Sequence, residues 1–240
     1  TYIPCEIGYY LLWLLSNIVS ESKSSVSMST GTRFNLINYI ATVLTSYLHL
    51  NQPDYMLTLV MTFLRALVHK YPLLAGSQSR IAPPLSEALL CLCNSEIESV
   101  RTNAIWTEYT LLKLATLTEK NNALWPQILS NLSISRLLQK QKKCERLSSS
   151  IQDIPGCVTL DSTLSMAEQK TLSTNLKALC DQMNQLINGT IELNSSTSEA
   201  DIYRSEALLL KIANLYNIPE LKVMWLVRLA EFHNKNQQYA

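Results

Sequence analysis

The stretch DIYRSEALLLKIANLYNIPELKVMWLVRLAEFHNKNQQYA, residues 201–240, carries two helical patterns that are separated at Asn217-Ile218-Pro219. On both sides of this break, apolar residues recur at steps of three and four, which is the spacing of one face of an α-helix. Proline fits the first turn of the second helix, because its missing N–H would have no partner there. The apolar positions are Ile202, Leu208, Leu209, Ile212, Ala213 and Tyr216 in the first pattern and Leu221, Trp225, Leu229 and Phe232 in the second, where Val223, Leu226 and Ala230 are expected to widen the buried face. The stretch therefore predicts a closing helix pair.

Trp225 lies in the middle of the second apolar face, flanked at helical steps by Leu221 and Leu229. We expect it to be buried as the anchor of the pair. The alternative is an exposed partner-binding residue, since tryptophan is enriched in interface hot spots. The helical pattern is still unfinished at Tyr239-Ala240, which indicates that the chain is a piece of a longer protein.

Helical patterns also fill the chain upstream of this pair, and no segment has the pattern of a credible strand. Helices are predicted over residues 6–20, 33–50, 54–71, 83–93, 96–117, 125–143 and 164–188, with a serine-rich loop at 20–32. Ser95 and Glu98 have the spacing of a capping box at the start of the fifth of these. Helix 54–71 confines its polar residues to one narrow stripe, so we expect it to be largely buried, as the middle helix of a stacked array. That stripe consists of Thr58, Thr62, Arg65 and His69.

The last upstream helix, residues 164–188, differs from the others in having one narrow apolar seam on an otherwise polar surface. Gly189 follows it, as the residue that commonly ends a helix. Residues 147–163 before it are rich in serine and contain Pro155-Gly156, which predicts an irregular linker. The seam consists of Leu172, Leu176, Leu179, Met183 and Leu186. We therefore divide the chain into a helical-repeat segment at 1–146, a linker at 147–163, and the long helix with the closing pair at 164–240.

The helix pairs indicate the fold class. They begin near residues 32, 82, 126 and 199. The first two intervals are close to the ~40–47 residues of HEAT and armadillo units, and the last interval is much longer. Only 5 of the 240 residues are glycine, which disfavours a turn-rich β fold. The sequence predicts an all-α protein, an irregular α-solenoid with no sheet.

Composition excludes several classes of partner. The net charge is +1, so no overall field attracts nucleic acid. No apolar run approaches the ~20 residues of a membrane-spanning helix, and no signal peptide is recognisable. Six cysteines, Cys5, Cys91, Cys93, Cys144, Cys157 and Cys180, have neither disulfide nor zinc spacing. We expect buried free thiols in a cytoplasmic protein.

Chemistry-bearing residues are sparse. The histidines His49, His69 and His233 lie far apart in the sequence, and no glycine-rich phosphate loop or nucleophile elbow is present. Arg136, Lys140, Lys142, Lys143 and Arg146 form a basic run. It either contacts an acidic partner or complements the helix dipole, and the second interpretation is favoured. The sequence therefore predicts no catalytic, cofactor-binding or metal-binding residue.

Three segments resemble one protein family. The order Pro219-Glu-Leu-Lys-Val-Met-Trp225-Leu226, followed by Ala230 and His233, is similar to the opening helices of the DOCKER region in the dedicator-of-cytokinesis (DOCK) proteins. Lys222 stands where that family usually has arginine. Phe63-Leu-Arg-Ala-Leu-Val-His-Lys-Tyr-Pro72 and Val100-Arg-Thr-Asn-Ala104 resemble the helical-repeat segment that precedes DOCKER.

The resemblance implies a function for the parent protein. DOCK proteins are guanine nucleotide exchange factors for Rho-family GTPases, and they engage the GTPase through later lobes of DOCKER. This chain would then be a non-catalytic scaffold segment without cofactors, with room for protein partners on its helical-repeat surface. A general α-solenoid scaffold for protein–protein interactions is the second interpretation, and an enzyme acting by itself is the third.

Overall fold

The computed structural model describes residues 30–50, 52–119, 124–140, 144–195 and 219–235, together with positions 13, 16, 17, 207 and 210. Two expectations, the helix at 6–20 and the first helix of the closing pair at 201–216, lie outside these ranges apart from isolated residues. The serine-rich loop also lies outside them, except where α1 begins. In chain order the helices are α1 (Thr30–Leu48), α2 (Asp54–Lys70), α3 (Ala82–Cys93), α4 (Glu98–Thr118), α5 (Leu124–Lys140), α6 (Leu147–Asp153), α7 (Gly156–Leu160), α8 (Met166–Ser195) and α9 (Pro219–Lys235).

The all-α class is confirmed. Within the described ranges there is no strand, and a 3₁₀ turn at Pro72–Leu74 is the remaining regular element. Neighbouring helices pack against each other, α2 and α3 on α4, α5 on α3, and α8 on α5, α6 and α7. This arrangement is compatible with an irregular α-solenoid.

Helix α4 is the central helix of the array. The expectation that the helix at residues 54–71 is the middle helix is therefore wrong. Every residue from 104 to 116 is buried except the half-buried Trp106. Several of these residues are threonines whose hydroxyls donate to the carbonyl four residues earlier, as Thr107 does to Asn103 at 2.7 Å and Thr116 to Leu112 at 2.9 Å. A polar residue satisfied by its own helix can be buried at small cost, so these threonines do not prevent the burial of α4.

Helix α2 matches its predicted bounds to one residue. Its buried side is Met56, Leu57, Val60, Met61, Leu64, Leu67 and Val68. The predicted polar stripe lies on the other side, where Thr62 and His69 are exposed and Arg65 is half-buried. Tyr55 and Ala66 are exposed as well, so the solvent-facing side is wider than predicted.

Residues 147–163 are not an irregular linker. They form α6 and α7, and Leu147, Ile151, Ile154 and Val158 are fully buried. These four residues follow each other at steps of four, three and four, which is the helical spacing. The signal was therefore present in the sequence but was outweighed by the serines and by Pro155-Gly156. The division of the chain into domains remains a prediction.

The predicted seam of α8 is confirmed, since all five of its residues are buried. The helix runs through Gly189 to Ser195, so the predicted stop at Gly189 is wrong. Glycine alone does not end a helix when the next turn is stabilised by packing and hydrogen bonds. Here Thr190 is buried, and its hydroxyl donates to the Leu186 carbonyl at 2.8 Å.

The capping box occurs at α8 instead of α4. The Glu168 carboxylate accepts the Ser165 N–H at 2.9 Å, and the Glu168 N–H donates to the Ser165 hydroxyl at 3.4 Å. At α4, Ile97 is the extended residue before the helix, so Glu98 is the first helical residue instead of the third. The Ser95 hydroxyl accepts the N–H of Ile97 at 3.2 Å, and the predicted capping box there is wrong.

Helix α9 begins at Pro219 as predicted, and Trp225 is only 1% exposed, within the hydrophobic core. The prediction that Trp225 is buried is confirmed, and the exposed alternative is wrong. Val223 and Leu226 are 55% and 37% exposed, and Ala230 is exposed too. These three residues do not widen the buried face as expected.

Replacing Trp225 with alanine should lower the free energy of unfolding by about 3 kcal/mol, because a large buried aromatic side chain leaves a cavity. Denaturant unfolding measures the change. Val223→Ala on the same helix is the matched control and should stay within ~0.5 kcal/mol of wild type, because its side chain faces solvent. An equal midpoint for Trp225→Ala and wild type would show that Trp225 does not anchor α9.

Candidate functional site

A cluster of four polar side chains joins α4 to the loop between α7 and α8. Lys113 donates to Asp161 Oδ2 at 2.6 Å and to Thr163 Oγ1 at 2.7 Å. The Tyr109 hydroxyl donates to Asp161 Oδ2 at 2.7 Å. Thr163 donates to Asp161 Oδ1 from its hydroxyl at 2.6 Å and from its N–H at 3.0 Å. We call Tyr109, Lys113, Asp161 and Thr163 the polar clamp.

Local structure places both halves of the polar clamp. Tyr109 and Lys113 are four residues apart on α4 and so lie on one face of the helix. Asp161 is in an extended conformation directly after α7, and its bond to the Thr163 N–H forms an Asx turn. The Asp161 carbonyl also accepts Gln169 Nε2 at 3.1 Å. The polar clamp therefore attaches the beginning of α8 to the central helix.

Burial makes this ion pair different from an ordinary surface salt bridge. The Lys113 and Asp161 side chains are 8% and 12% exposed. Burial alone would raise the pKa of Asp161, but hydrogen bonds from Lys113, Thr163 and Tyr109 outweigh it and hold that pKa well below its usual range. Burial raises the pKa of the Tyr109 phenol, and its bond to the carboxylate adds to this. Asp161 stays ionised and Tyr109 stays protonated at neutral pH.

These pKa directions decide what the polar clamp can do. A general acid or base works best with a pKa near the operating pH. The pKa of Asp161 lies below that range and the pKa of Tyr109 lies above it. The Lys113 ammonium already donates hydrogen bonds to two acceptors. The geometry suits a rigid joint between α4 and α8 better than proton transfer.

A second buried group, Glu108, lies beside the polar clamp on α4. It is 0% exposed, and it accepts a hydrogen bond from the Ser86 hydroxyl at 2.7 Å. Its other oxygen, Oε2, is buried without a partner among the described residues. Burial raises the pKa of Glu108 to about 8, while the Ser86 bond acts in the opposite direction. Glu108 is therefore mostly neutral at pH 7.

Cys93, Cys144, Cys157 and Cys180 are free and buried, as expected, and Cys91 is half-buried. Burial is the main cause that raises the pKa of Cys157 to about 11 and of Cys180 to about 12. Burial also raises the pKa of Cys93, and nearby Glu108 adds to it. Reactive cysteines need an accessible thiolate, so these three thiols are inert packing residues. Cys5 lies outside the described residues.

The remaining polar residues noted in the sequence are dispersed. His49 and His69 are exposed, and the side chain of His233 lies outside the described part of the chain. In the basic run, Lys140 is in the last turn of α5 and pairs with Glu87, while Arg146 lies 3.7 Å from Glu96. Lys142 and Lys143 are outside the described ranges. Among the residues that the structure covers, no three His, Cys, Asp or Glu side chains are grouped to hold a metal ion.

Sequence reasoning missed the polar clamp because its halves are 48 to 52 residues apart. The usable signal was Lys113 itself, a charged residue inside the apolar pattern of the most hydrophobic stretch of α4. Such a lysine requires a counter-charge if the helix is buried.

In the same described ranges, no helix has the length and apolar character needed to cross a bilayer.

Comparison with known proteins finds sequence similarity to dedicator-of-cytokinesis proteins. No protein-family model matches the chain, and no solved structure matches it. Over 207 residues, 84% of this chain, it is 25% identical to dedicator of cytokinesis protein 9 from Mus musculus, Rattus norvegicus and Homo sapiens. The chain spans 10% of the mouse and human proteins and 28% of the rat sequence. It is therefore distantly related to the dedicator-of-cytokinesis proteins.

Proposed function

We propose that this chain is a helical scaffold segment of a DOCK-type guanine nucleotide exchange factor for Rho-family GTPases. The similarity to dedicator of cytokinesis protein 9 across 84% of the chain carries the proposal. The resemblance of residues 219–233 to the opening of DOCKER agrees with it. Within this proposal the GTPase is bound by a later region of a longer cytoplasmic parent.

The packing of α8 supports a positioning role. This helix has 30 residues, which corresponds to a length of roughly 45 Å. One face packs on α5, α6 and α7, and the polar clamp holds its beginning to α4. A long helix fixed along one side transmits the orientation of the repeat segment to whatever follows it. We infer that the chain supports the catalytic region in this way without contacting nucleotide.

The proposal predicts that residues 1–240 alone have no exchange activity. Release of a fluorescent nucleotide from Rho-family GTPases should proceed at the intrinsic rate with and without the purified chain. A longer protein that contains this chain and its carboxy-terminal continuation should accelerate release. Acceleration by residues 1–240 would place catalytic machinery within the chain, and an inactive longer protein would contradict the exchange function itself.

A general protein-interaction scaffold is the second candidate, favoured by one surface. On α9, Val223, Leu226 and Val227 are 55%, 37% and 52% exposed, and they share a helical face. Apolar residues grouped on a surface commonly mark a contact with another protein. The exchange assay on the longer protein separates the two candidates, because this scaffold function needs no acceleration of nucleotide release.

A further inference from the structure

A cleft of about 250 Å³ opens beside the polar clamp, between α2, α4 and the loop that follows α7. Lys113 and Asp161 form part of its lining, and Arg65 and His69 enter it from α2. Arg65 and His69 are four residues apart and so project from the same side of their helix. All four residues of the polar clamp line the cleft, and Arg65 and His69 extend it because neither takes part in the hydrogen bonds described above.

Arg65 has no partner for its charge among the described residues. Its side chain is half-buried, and burial lowers its pKa. No acid of the described residues forms a salt bridge with it. Removing a guanidinium from water without supplying an anion costs free energy. An anion bound in the cleft would recover that cost.

The charge of the cleft favours such an anion. Asp161 is the one carboxylate among the described residues that line it. That carboxylate is already matched by Lys113 at 2.6 Å and is held by Tyr109 and Thr163. Because the charges of Lys113 and Asp161 cancel each other, the charge of Arg65 makes the cleft positive overall.

The walls of the cleft also include apolar side chains and a serine hydroxyl. Trp106 is half-buried and packs edge-on to Tyr109, with ring centroids 5.8 Å apart. Leu160 is 73% exposed at the rim, and Ser162, two residues later, is exposed as well. A free inorganic anion would use Arg65 and leave Trp106 and Leu160 in water. A peptide with an acidic side chain beside an apolar one would use all of these residues.

We propose that this cleft binds an acidic segment of a partner protein, with a carboxylate on the Arg65 guanidinium and an adjacent apolar side chain against Trp106 and Leu160. The planar guanidinium matches a carboxylate in two-point hydrogen bonding. An anionic membrane does not fit, because recruitment to lipid takes clusters of four to eight cations. The cleft can recruit a partner whether or not the parent protein is an exchange factor.

The test is a titration of the 240-residue chain with the hexapeptide acetyl-Gly-Ser-Glu-Leu-Ser-Gly-amide, followed by NMR at the Trp106 indole N–H. The glutamate peptide should shift this signal with saturation, and its glutamine counterpart should bind about tenfold more weakly. Arg65→Gln should lose a similar factor. Arg136→Gln, which removes an exposed arginine of α5, is the matched control and should leave the affinity unchanged.

Three outcomes would overturn the proposal. Equal shifts by the two peptides would show that the carboxylate is not recognised. Inorganic phosphate that saturates the same signal as tightly as the peptide would make the cleft a site for small free anions. A fall of several degrees in the melting temperature of Arg65→Gln would show a structural role, because a charge without a partner should cost nothing to remove. The proposal expects that melting temperature to be unchanged or higher.

Discussion

Asp161→Asn is expected to lower the free energy of unfolding by about 3–5 kcal/mol, because it leaves the buried Lys113 ammonium without a counter-charge. Asparagine has nearly the same shape, so lost packing contributes little to the effect. Among the described residues Lys113 has two acceptors, Asp161 and Thr163, and one hydroxyl cannot replace a carboxylate. Denaturant unfolding at pH 7 measures the change.

Lys113→Met should cost less, about 2 kcal/mol, because the polar clamp is asymmetric. After this change the Asp161 carboxylate still accepts bonds from the Tyr109 hydroxyl and from the N–H and hydroxyl of Thr163. The double variant with both changes should recover part of the loss, since no buried charge remains. A double-mutant cycle with these three variants isolates the coupling between the two side chains.

Glu96→Gln is the matched control for the ion pair. The Glu96 carboxylate lies 3.7 Å from Arg146, and the Arg146 and Glu96 side chains are 48% and 90% exposed. A solvent-exposed pair contributes at most ~1 kcal/mol. If Asp161→Asn and Glu96→Gln were equally mild, burial of the polar clamp would have no energetic consequence, and its role as the joint between α4 and α8 would be contradicted.

The second large effect concerns Glu108 and the pH dependence of stability. The pKa of this carboxyl is about 8 in the fold, against an ordinary value of 4.5. Between these two pH values the unfolded chain loses the proton while the folded protein keeps it. Folding stability should therefore fall as pH rises through this window and level off above it. The contribution of Glu108 to this fall is on the order of 5 kcal/mol.

Glu108→Gln should remove that slope, because the amide has the shape of the protonated acid and carries no proton that titrates. It still offers an oxygen to the Ser86 hydroxyl. The variant should match wild type near pH 5 and be several kcal/mol more stable near pH 8.5, as measured by urea unfolding at each pH. Glu98→Gln, an exposed position on the same helix, should leave the wild-type slope in place. A wild-type slope in Glu108→Gln would mean that Glu108 is ionised in the fold.

The sequence alone determined the helical class and most helix positions, for a local reason. Apolar residues at steps of three and four are enough to predict a helix and the side it buries. The α8 seam and the burial of Trp225 followed from that spacing. Proline at the first position also located the start of α9 correctly. None of these inferences needs information about which other helix supplies the contact.

Only the tertiary structure decided which helix is central and where the polar groups meet. The buried part of helix α4 carries threonines, a glutamate and a lysine, so its pattern does not distinguish a core helix from a half-exposed one. Its burial depends on α2 and α3 covering it from either side, and its lysine depends on Asp161, 48 residues away. Pairing across that distance is set by the path of α5 to α7. The spacing of residues within a helix does not predict that path. The polar clamp and the Arg65 cleft could therefore be identified only from the tertiary structure.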